Sequence, residues 1–286
     1  MVFNTNILAG SSGQGEAGFS PKGAQIKNTS LGDTNNYIFC STSNAAPTAA
    51  SVAGASNKTS TAQTKGTFVM WYHPTAVDGL VNGPYPFGGG STAFPNFGGV
   101  YTLFVRHEDS SVDNIQILPR SASGYIKIVT PTGGYTLNEW NCLMFSFDTA
   151  SSPTKFRVYI NDTQKSSGTV TTASGIQSNL LNASYIGAKV FNNPAFVGAV
   201  AEYYLNFGEF VEFDTESERR KFINADGTPV DLGSDGSTPT GTSPMIYLSL
   251  REGETADQFA VNRGIGADFT VQGSVSVFAA DVSAPV

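Results

Sequence analysis

Three carboxylates stand two residues apart in the run Glu212-Phe213-Asp214-Thr215-Glu216. On a strand, residues i, i+2 and i+4 share one face, and two carboxyl groups so placed can act as nucleophile and general acid in glycoside hydrolysis. The residues from Thr215 onward argue against that use. Thr215-Glu216-Ser217-Glu218 has the form of a capping box, in which the Thr hydroxyl and the Glu carboxylate satisfy free backbone N–H groups. Arg219, Arg220 and Lys221 come where cations favour a helix C-terminus, and Gly227 ends the segment. A helix start there destroys the period-2 arrangement, so no catalytic residue is expected. Only His73 and His107 offer imidazole chemistry, and His107-Glu108-Asp109 reads as a polar loop after a strand. Two His and two Cys, widely spread, give no zinc spacing. A G-x-S-x-G serine motif is absent, and Gly88-Gly89-Gly90-Ser91 lacks the Lys and following helix of a phosphate loop. Calcium leaves no strict local pattern. Asp109, Asp113 and Asn114 lie in a loop that suits Ca2+, but ordinary turn chemistry explains them equally well. No cofactor is assigned, and Ca2+ stays open.

The remaining unusual segment is 79–99, where Tyr85, Phe87, Phe94 and Phe97 stand among glycines and prolines. Such a composition makes a poor strand and predicts a surface loop. Its aromatic rings suit sugar faces or protein interfaces, or else fold back over the domain as a satellite cluster. We take Tyr85, Phe87, Phe94 and Phe97 as the candidate contact residues for a ligand or partner.

The elements that would hold these residues follow from composition and periodicity. The chain has 286 residues, with 16 Lys+Arg against 23 Asp+Glu, a net charge of −7. That balance disfavours nucleic-acid binding and docking on anionic lipid, both of which need basic clusters. Hydrophobic residues make up 40% and charged residues only 14%, while 31 Gly and 14 Pro imply many tight turns. This fits a turn-rich all-β protein. No run of 18 apolar residues exists, so membrane insertion is not expected. The start, Met1-Val2-Phe3-Asn4-Thr5-Asn6, has neither a basic nor an apolar region, so no secretory signal is expected. Cys40 and Cys142 could pair, but nothing marks an oxidising compartment, and free buried thiols are expected.

Residues 41–66 read as a long polar loop. Thr67–Tyr72 reads as a strand stopped by Pro74, and further strands are expected at 100–106, 114–118 and 125–130. From Trp140 to Asp148, Leu143, Phe145 and Phe147 point one way and Met144, Ser146 and Asp148 the other. Phe156, Val158 and Ile160 face inward, with Lys155, Arg157 and Tyr159 outward, before an Asn161-Asp162 turn. After a strand at 183–187 comes Phe196–Phe207. There Ala199, Ala201, Tyr203, Leu205 and Phe207 are expected on one face, and Glu202, Tyr204 and Asn206 on the other. Pro229–Pro244 is a turn-rich connector, and strands at 245–250 and 268–277 close the chain. The expected architecture is an all-β, two-sheet antiparallel β-sandwich, a jelly roll, with one short helix near 215–224. It forms a single domain over 1–286, with an N-terminal extension (about 1–30) and C-terminal strands (about 244–278) packed on it.

Four stretches resemble the concanavalin A-like lectin/glucanase superfamily in its laminin G-like branch. They are Gly66–Pro74 (GTFVMWYHP), Asn138–Asp148 (NEWNCLMFSFD), Phe156–Asp162 (FRVYIND), and Ser184–Gly187 with Phe196–Glu202. The family's usual His after the Trp is absent. Retaining glucanases of this superfamily carry E-x-D-x-E in mid-strand among aromatics, not before Ser-Glu-Arg-Arg-Lys. Asn6–Gly10, RRKFINADGTPVDLGSDGSTPTG and the Met245–Leu250 strand look like laminin G-like proteins of tailed-bacteriophage particles. The resemblance implies a non-enzymatic structural or interaction protein of a phage virion, either a capsid decoration or a tail/fibre component. Other virion proteins and its own copies would be its partners in a homo-oligomer, and a cell-surface glycan is a further expected partner. The alternatives are a carbohydrate-binding, lectin-like module and a retaining glycoside hydrolase using Glu212 and Glu216.

Overall fold

Apolar alternation is strongest over Asn141–Asp148, and the first sheet builds outward from that strand. The computed structural model describes residues 21–26, 36–41, 62–76, 87–90, 101–107, 115–117, 120–121, 124–125, 128–130, 134–170, 183–187, 196–279 and 282. The first sheet runs in the order β12 (Thr163–Val170), β11 (Thr154–Ile160), β10 (Asn141–Asp148), β3 (Lys65–Ala76), β14 (Val197–Phe207), β1 (Ala24–Ile26) and β17 (Val275–Val277). β15 (Ile246–Leu248) pairs with the second half of β14. The second sheet runs β16 (Thr270–Gln272), β2 (Tyr37–Ser41), β13 (Ala183–Ile186), β4 (Phe87–Gly90), β5 (Tyr101–His107), β6 (Ile115–Ile117) and β9 (Ile128–Val129). A two-stranded pair, β7 (Arg120–Ser121) and β8 (Gly124–Tyr125), stands apart. Neighbouring strands are antiparallel throughout, for example β10 with β3 and β11.

The two sheets bury one core between them. The first contributes Phe68, Met70, Leu143, Phe145, Val158 and Leu205, and the second Ile38, Cys40, Ile115, Ile117, Ile128 and Ile186. A second apolar cluster lies on the other face of the first sheet. There Val69, Trp71, Cys142, Met144, Tyr159 and Tyr204 are covered by Val211, Phe213, Phe222, Ile223, Val230, Leu232 and Val282. The cover is irregular chain, and its backbone polar groups need partners. Side chains of the sheet supply them. Thr67 Oγ1 donates to Glu209 O at 2.9 Å and accepts from Val211 N–H at 3.1 Å, and Ser146 Oγ donates to Val211 O at 2.7 Å. Cys40 and Cys142 are both free and buried, one in each cluster.

Several expectations are corrected. β3 does not stop at Pro74 but continues to Ala76. Its pairing with β10 ends at Tyr72 and its pairing with β14 is irregular at Gly198, so the missing proline N–H falls where the ladder is already open on one side. The faces of β14 exchange midway, because one extra residue is inserted between Ala201 and Tyr204 and Glu202 adopts φ 43°. Ala199, Ala201 and Tyr204 therefore line the outer cluster, while Val200, Tyr203 and Leu205 line the inter-sheet core. Tyr159 is 6% exposed rather than outward in water, because the cover lies over it. The helix α1 spans only Glu216–Arg219, and Thr215 makes no side-chain cap bond. The Thr215 N–H already donates to Glu212 O at 2.9 Å, and Glu218 pairs with Lys221 at 2.8 Å. The expected strand over 268–277 is two short strands, and that over 125–130 is two short pieces. The N-terminal 20 residues and most of the 41–66 loop lie outside the described residues.

Candidate functional site

Of the four predicted contact residues, Tyr85, Phe94 and Phe97 lie outside the described residues, and Phe87 opens β4. The segment is thus not loop throughout: Phe87–Gly90 is a strand in the middle of the second sheet, flanked by β13 and β5. Backbone pairing on both sides overrides the weak intrinsic strand preference of three glycines. Phe87 pairs with Val105, which pairs with Ile117, a fully buried core residue, so Phe87 holds a position in the core-facing row. Gly88 falls in the opposite row. Its partners are Tyr185 on β13 and Phe104 on β5, and Tyr185 in turn pairs with Phe39. Ile38 and Ile186 on either side of that row face the core, which places Phe39, Tyr185, Gly88 and Phe104 along the outer face. Tyr37 and Phe39 on the same face have ring centroids 5.5 Å apart. The result is a sheet face with aromatic register positions on both sides of Gly88, and at its β2 end Tyr37 and Phe39 are 2% and 6% exposed.

The E-x-D-x-E carboxylates lie on the outer side of the first sheet. Arg157 Nε is 2.6 Å from Glu212 and 2.5 Å from Asp214. Tyr159 Oη and Gln164 Nε2 both donate to Asp214, at 3.0 and 2.7 Å. Glu216 is the first residue of α1 and pairs with Arg220 at 2.9 Å. The three acids thus share no strand face, and each is engaged by a guanidinium. Asp162, at the β11–β12 turn, receives Arg219 and Arg220 at 2.5 and 2.7 Å. Burial alone would raise its carboxyl, but hydrogen bonds from the two arginines hold it below the usual range. These pairs tie the cover to the sheet.

Beside α1 a cleft of ≈ 780 Å3 opens, lined by Glu216, Glu218, Arg220, Lys221, Asn224 and Val230 among others. Sequence reasoning did not locate it, because its walls come from a helix turn and a connector without periodicity. Glu202 was also missed. At the bulge of β14 it is 1% exposed and accepts hydrogen bonds from Tyr247 Oη, at 2.8 Å, and from Ser249 Oγ. Burial pushes its carboxyl up to about 7, against the pull of Ser249, Arg251 and Tyr247. Arg251 links Tyr247 Oη to Asp231, each at 3.0 Å.

Among the described residues no group of three His, Cys, Asp or Glu side chains could hold a metal ion. Asp109, Asp113 and Asn114 lie outside the described residues. His73 is buried between the rings of Trp140 and Phe278, at 5.5 and 4.7 Å between centroids. Burial lowers its pKa and favours the neutral imidazole. No helix among the described residues is long and apolar enough to cross a membrane.

No curated protein sequence matches the chain. Among solved structures, one match is a protein of Bacteroides ovatus ATCC 8483 provisionally assigned as carbohydrate-binding. It has 13% identity and a TM-score of 0.55, over 93% of this chain and 62% of that one. The chain thus spans less than two thirds of that protein's length. Another is the heptameric SAP-like pentraxin of Limulus polyphemus, at 12% identity and a TM-score of 0.51, over 92% of this chain and 96% of that one. Both show the concanavalin A-like jelly-roll sandwich. The family model described as "Concanavalin A-like lectin/glucanases superfamily" matches residues 26–205, more than half of the chain and all the strands from β2 to β13. The chain belongs to the concanavalin A-like lectin/glucanases superfamily, with a laminin G-like domain.

Proposed function

We propose that this protein is a non-catalytic carbohydrate-binding module whose sugar contacts lie on the outer face of the second sheet, around Gly88. The observation that carries this reading is the glycine strand β4, set between the register positions of Tyr185 and Phe104. A glycine lets another molecule come close to the backbone, and the aromatic residue types at the neighbouring register positions suit the C–H faces of sugars. The fold likeness to a protein provisionally assigned to carbohydrate binding supports it. Catalysis is left out because the paired acids of the E-x-D-x-E run are engaged by Arg157 and Arg220. The test is a panel of immobilised neutral and acidic glycans probed with the full chain, alongside Gly88→Trp. Wild type is expected to bind a subset, Gly88→Trp to lose at least tenfold in affinity, and the bound sugars to be recovered uncut. Hydrolysis abolished by Glu212→Gln or Glu216→Gln would overturn the non-catalytic part.

A virion setting, with other virion proteins and further copies of this chain as neighbours, is the second reading. It rests on the likeness of Asn6–Gly10 and of 219–241 to phage-particle proteins.

A further inference from the structure

We infer that the cleft beside α1 is a second contact site, distinct from the sheet face, for a neutral, hydroxyl-rich ligand of the sugar class; this rests on the carbohydrate-binding reading above. At ≈ 780 Å3 the cleft lies within the range of about 300–1,000 Å3 that small-molecule sites occupy. Its charged lining cancels: Glu216 and Glu218 stand against Arg220 and Lys221. Each acid is already paired with a base, Glu216 with Arg220 at 2.9 Å and Glu218 with Lys221 at 2.8 Å. An anion would have to draw Arg220 or Lys221 away from its carboxylate, and a cation would have to do the reverse. A hydroxyl does neither. It donates to a remaining carboxylate lone pair and accepts from a neighbouring N–H, and such charge-assisted bonds are the stronger kind. Adjacent hydroxyls on one sugar ring match adjacent acid–base pairs.

The walls are held from behind. Arg220 is also anchored on Asp162 at 2.7 Å, and Asn224 donates to Thr228 Oγ1 and Pro229 O at 3.0 and 3.1 Å. Arg220 and Asn224 therefore lose little freedom when a ligand arrives. Val230, 8% exposed, supplies an apolar wall for the C–H side of a ring. All these lining residues lie beyond 26–205, the stretch that matches the family model.

The test is calorimetric titration of the full chain with cellotetraose, laminaritetraose and mannotetraose, and with Ser217→Trp, which fills the cleft from an exposed lining position. At least one sugar is expected to bind at two sites per chain, with amide-exchange protection over 216–239. Ser217→Trp, with its melting temperature unchanged, should keep only one site. If Ser217→Trp leaves stoichiometry and affinity unaltered while Gly88→Trp abolishes binding, the cleft inference is wrong and the sheet-face reading stands. If Ser217→Trp abolishes binding and Gly88→Trp does not alter it, the cleft stands and the sheet face falls. Binding of none of the three sugars overturns the cleft site, and silence across the wider glycan panel overturns the carbohydrate reading itself.

Discussion

The first sheet is buried on both faces, by two different kinds of packing. Toward the second sheet its side chains meet other strands, and the cluster is almost wholly apolar, from Phe68 and Phe145 to Ile117 and Ile186. Toward the 209–233 segment they meet irregular chain. The apolar contacts of Trp71, Met144 and Tyr204 with Phe213 and Phe222 are there interleaved with polar anchors from Thr67, Ser146 and Arg157. Strand-on-strand packing satisfies its backbone within each sheet and needs only complementary shape. An irregular cover has unpaired backbone groups, so the sheet beneath it must carry polar residues at chosen points. A strand whose outer face mixes Thr, Ser and Arg with Trp and Met is therefore not facing water.

The largest expected effect tests whether the two layers are separable. Phe145→Ala in the inter-sheet core and Phe213→Ala in the cover, 1% and 0% exposed, should each cost about 3–5 kcal/mol. Phe145→Ala should accelerate amide exchange throughout 141–148 and in the cover alike. Phe213→Ala should accelerate exchange over 209–232 while 141–148 stays protected. Identical exchange patterns in the two variants would mean one cooperative unit and break the comparison.

A smaller effect is tied to pH. Glu202 titrates at about 7 in the folded chain and near its ordinary value, about 4.5, when unfolded. Between those values the native state holds a proton that the unfolded state has released. Stability should therefore fall as pH rises from about 4.5 to about 7 and level off above, by an amount on the order of a few kcal/mol at most. Because Glu202 binds Tyr247 and Ser249, the loss should be felt where β14 meets β15. Glu202→Gln, which cannot ionise, should flatten that slope in urea titrations at pH 5, 6, 7 and 8. A slope of unchanged size in the variant would remove Glu202 as its source.

The smallest effect contrasts two similar local motifs. Thr215→Ala should change stability by less than about 0.5 kcal/mol, since its side chain makes no cap bond. Gln258→Ala should cost about 0.5–1 kcal/mol, because Gln258 Oε1 accepts from the Thr255 N–H at 2.8 Å. Equal melting temperatures for the two variants would show that neither cap matters.

Much of the sandwich was legible because the apolar run of β3 and the period-2 alternation of β10 and β11 survive into the sheets. What was not legible has physical causes. A one-residue bulge at Glu202 leaves no mark in composition, so the phase of β14 was carried past the point where it reverses. The burial of Tyr159 depends on Phe213, 54 positions away in the chain. Glycine has no side chain to alternate, so β4 reads as a loop although both its neighbours pair with it. The pattern Thr-x-x-Glu/Gln occurs at 215 and 255 alike. Which one closes depends on whether the threonine N–H has already found an upstream carbonyl, a fact of the preceding turn. The helix start that separates Glu216 from Glu212 and Asp214 was legible, because the acidic first turn and basic last turn stand together in sequence.

The two free cysteines sit in different layers, Cys40 between the sheets and Cys142 beneath the cover. Burial, then nearby Asp268, pushes the Cys40 thiol up to about 11, and burial raises that of Cys142 as well. Neither therefore offers a thiolate to an alkylating reagent until its own layer opens. The molecule thus carries two internal clocks. The ratio of modification rates at the two sulfurs, read by mass spectrometry in the native chain, reports which layer breathes first and needs no engineered label.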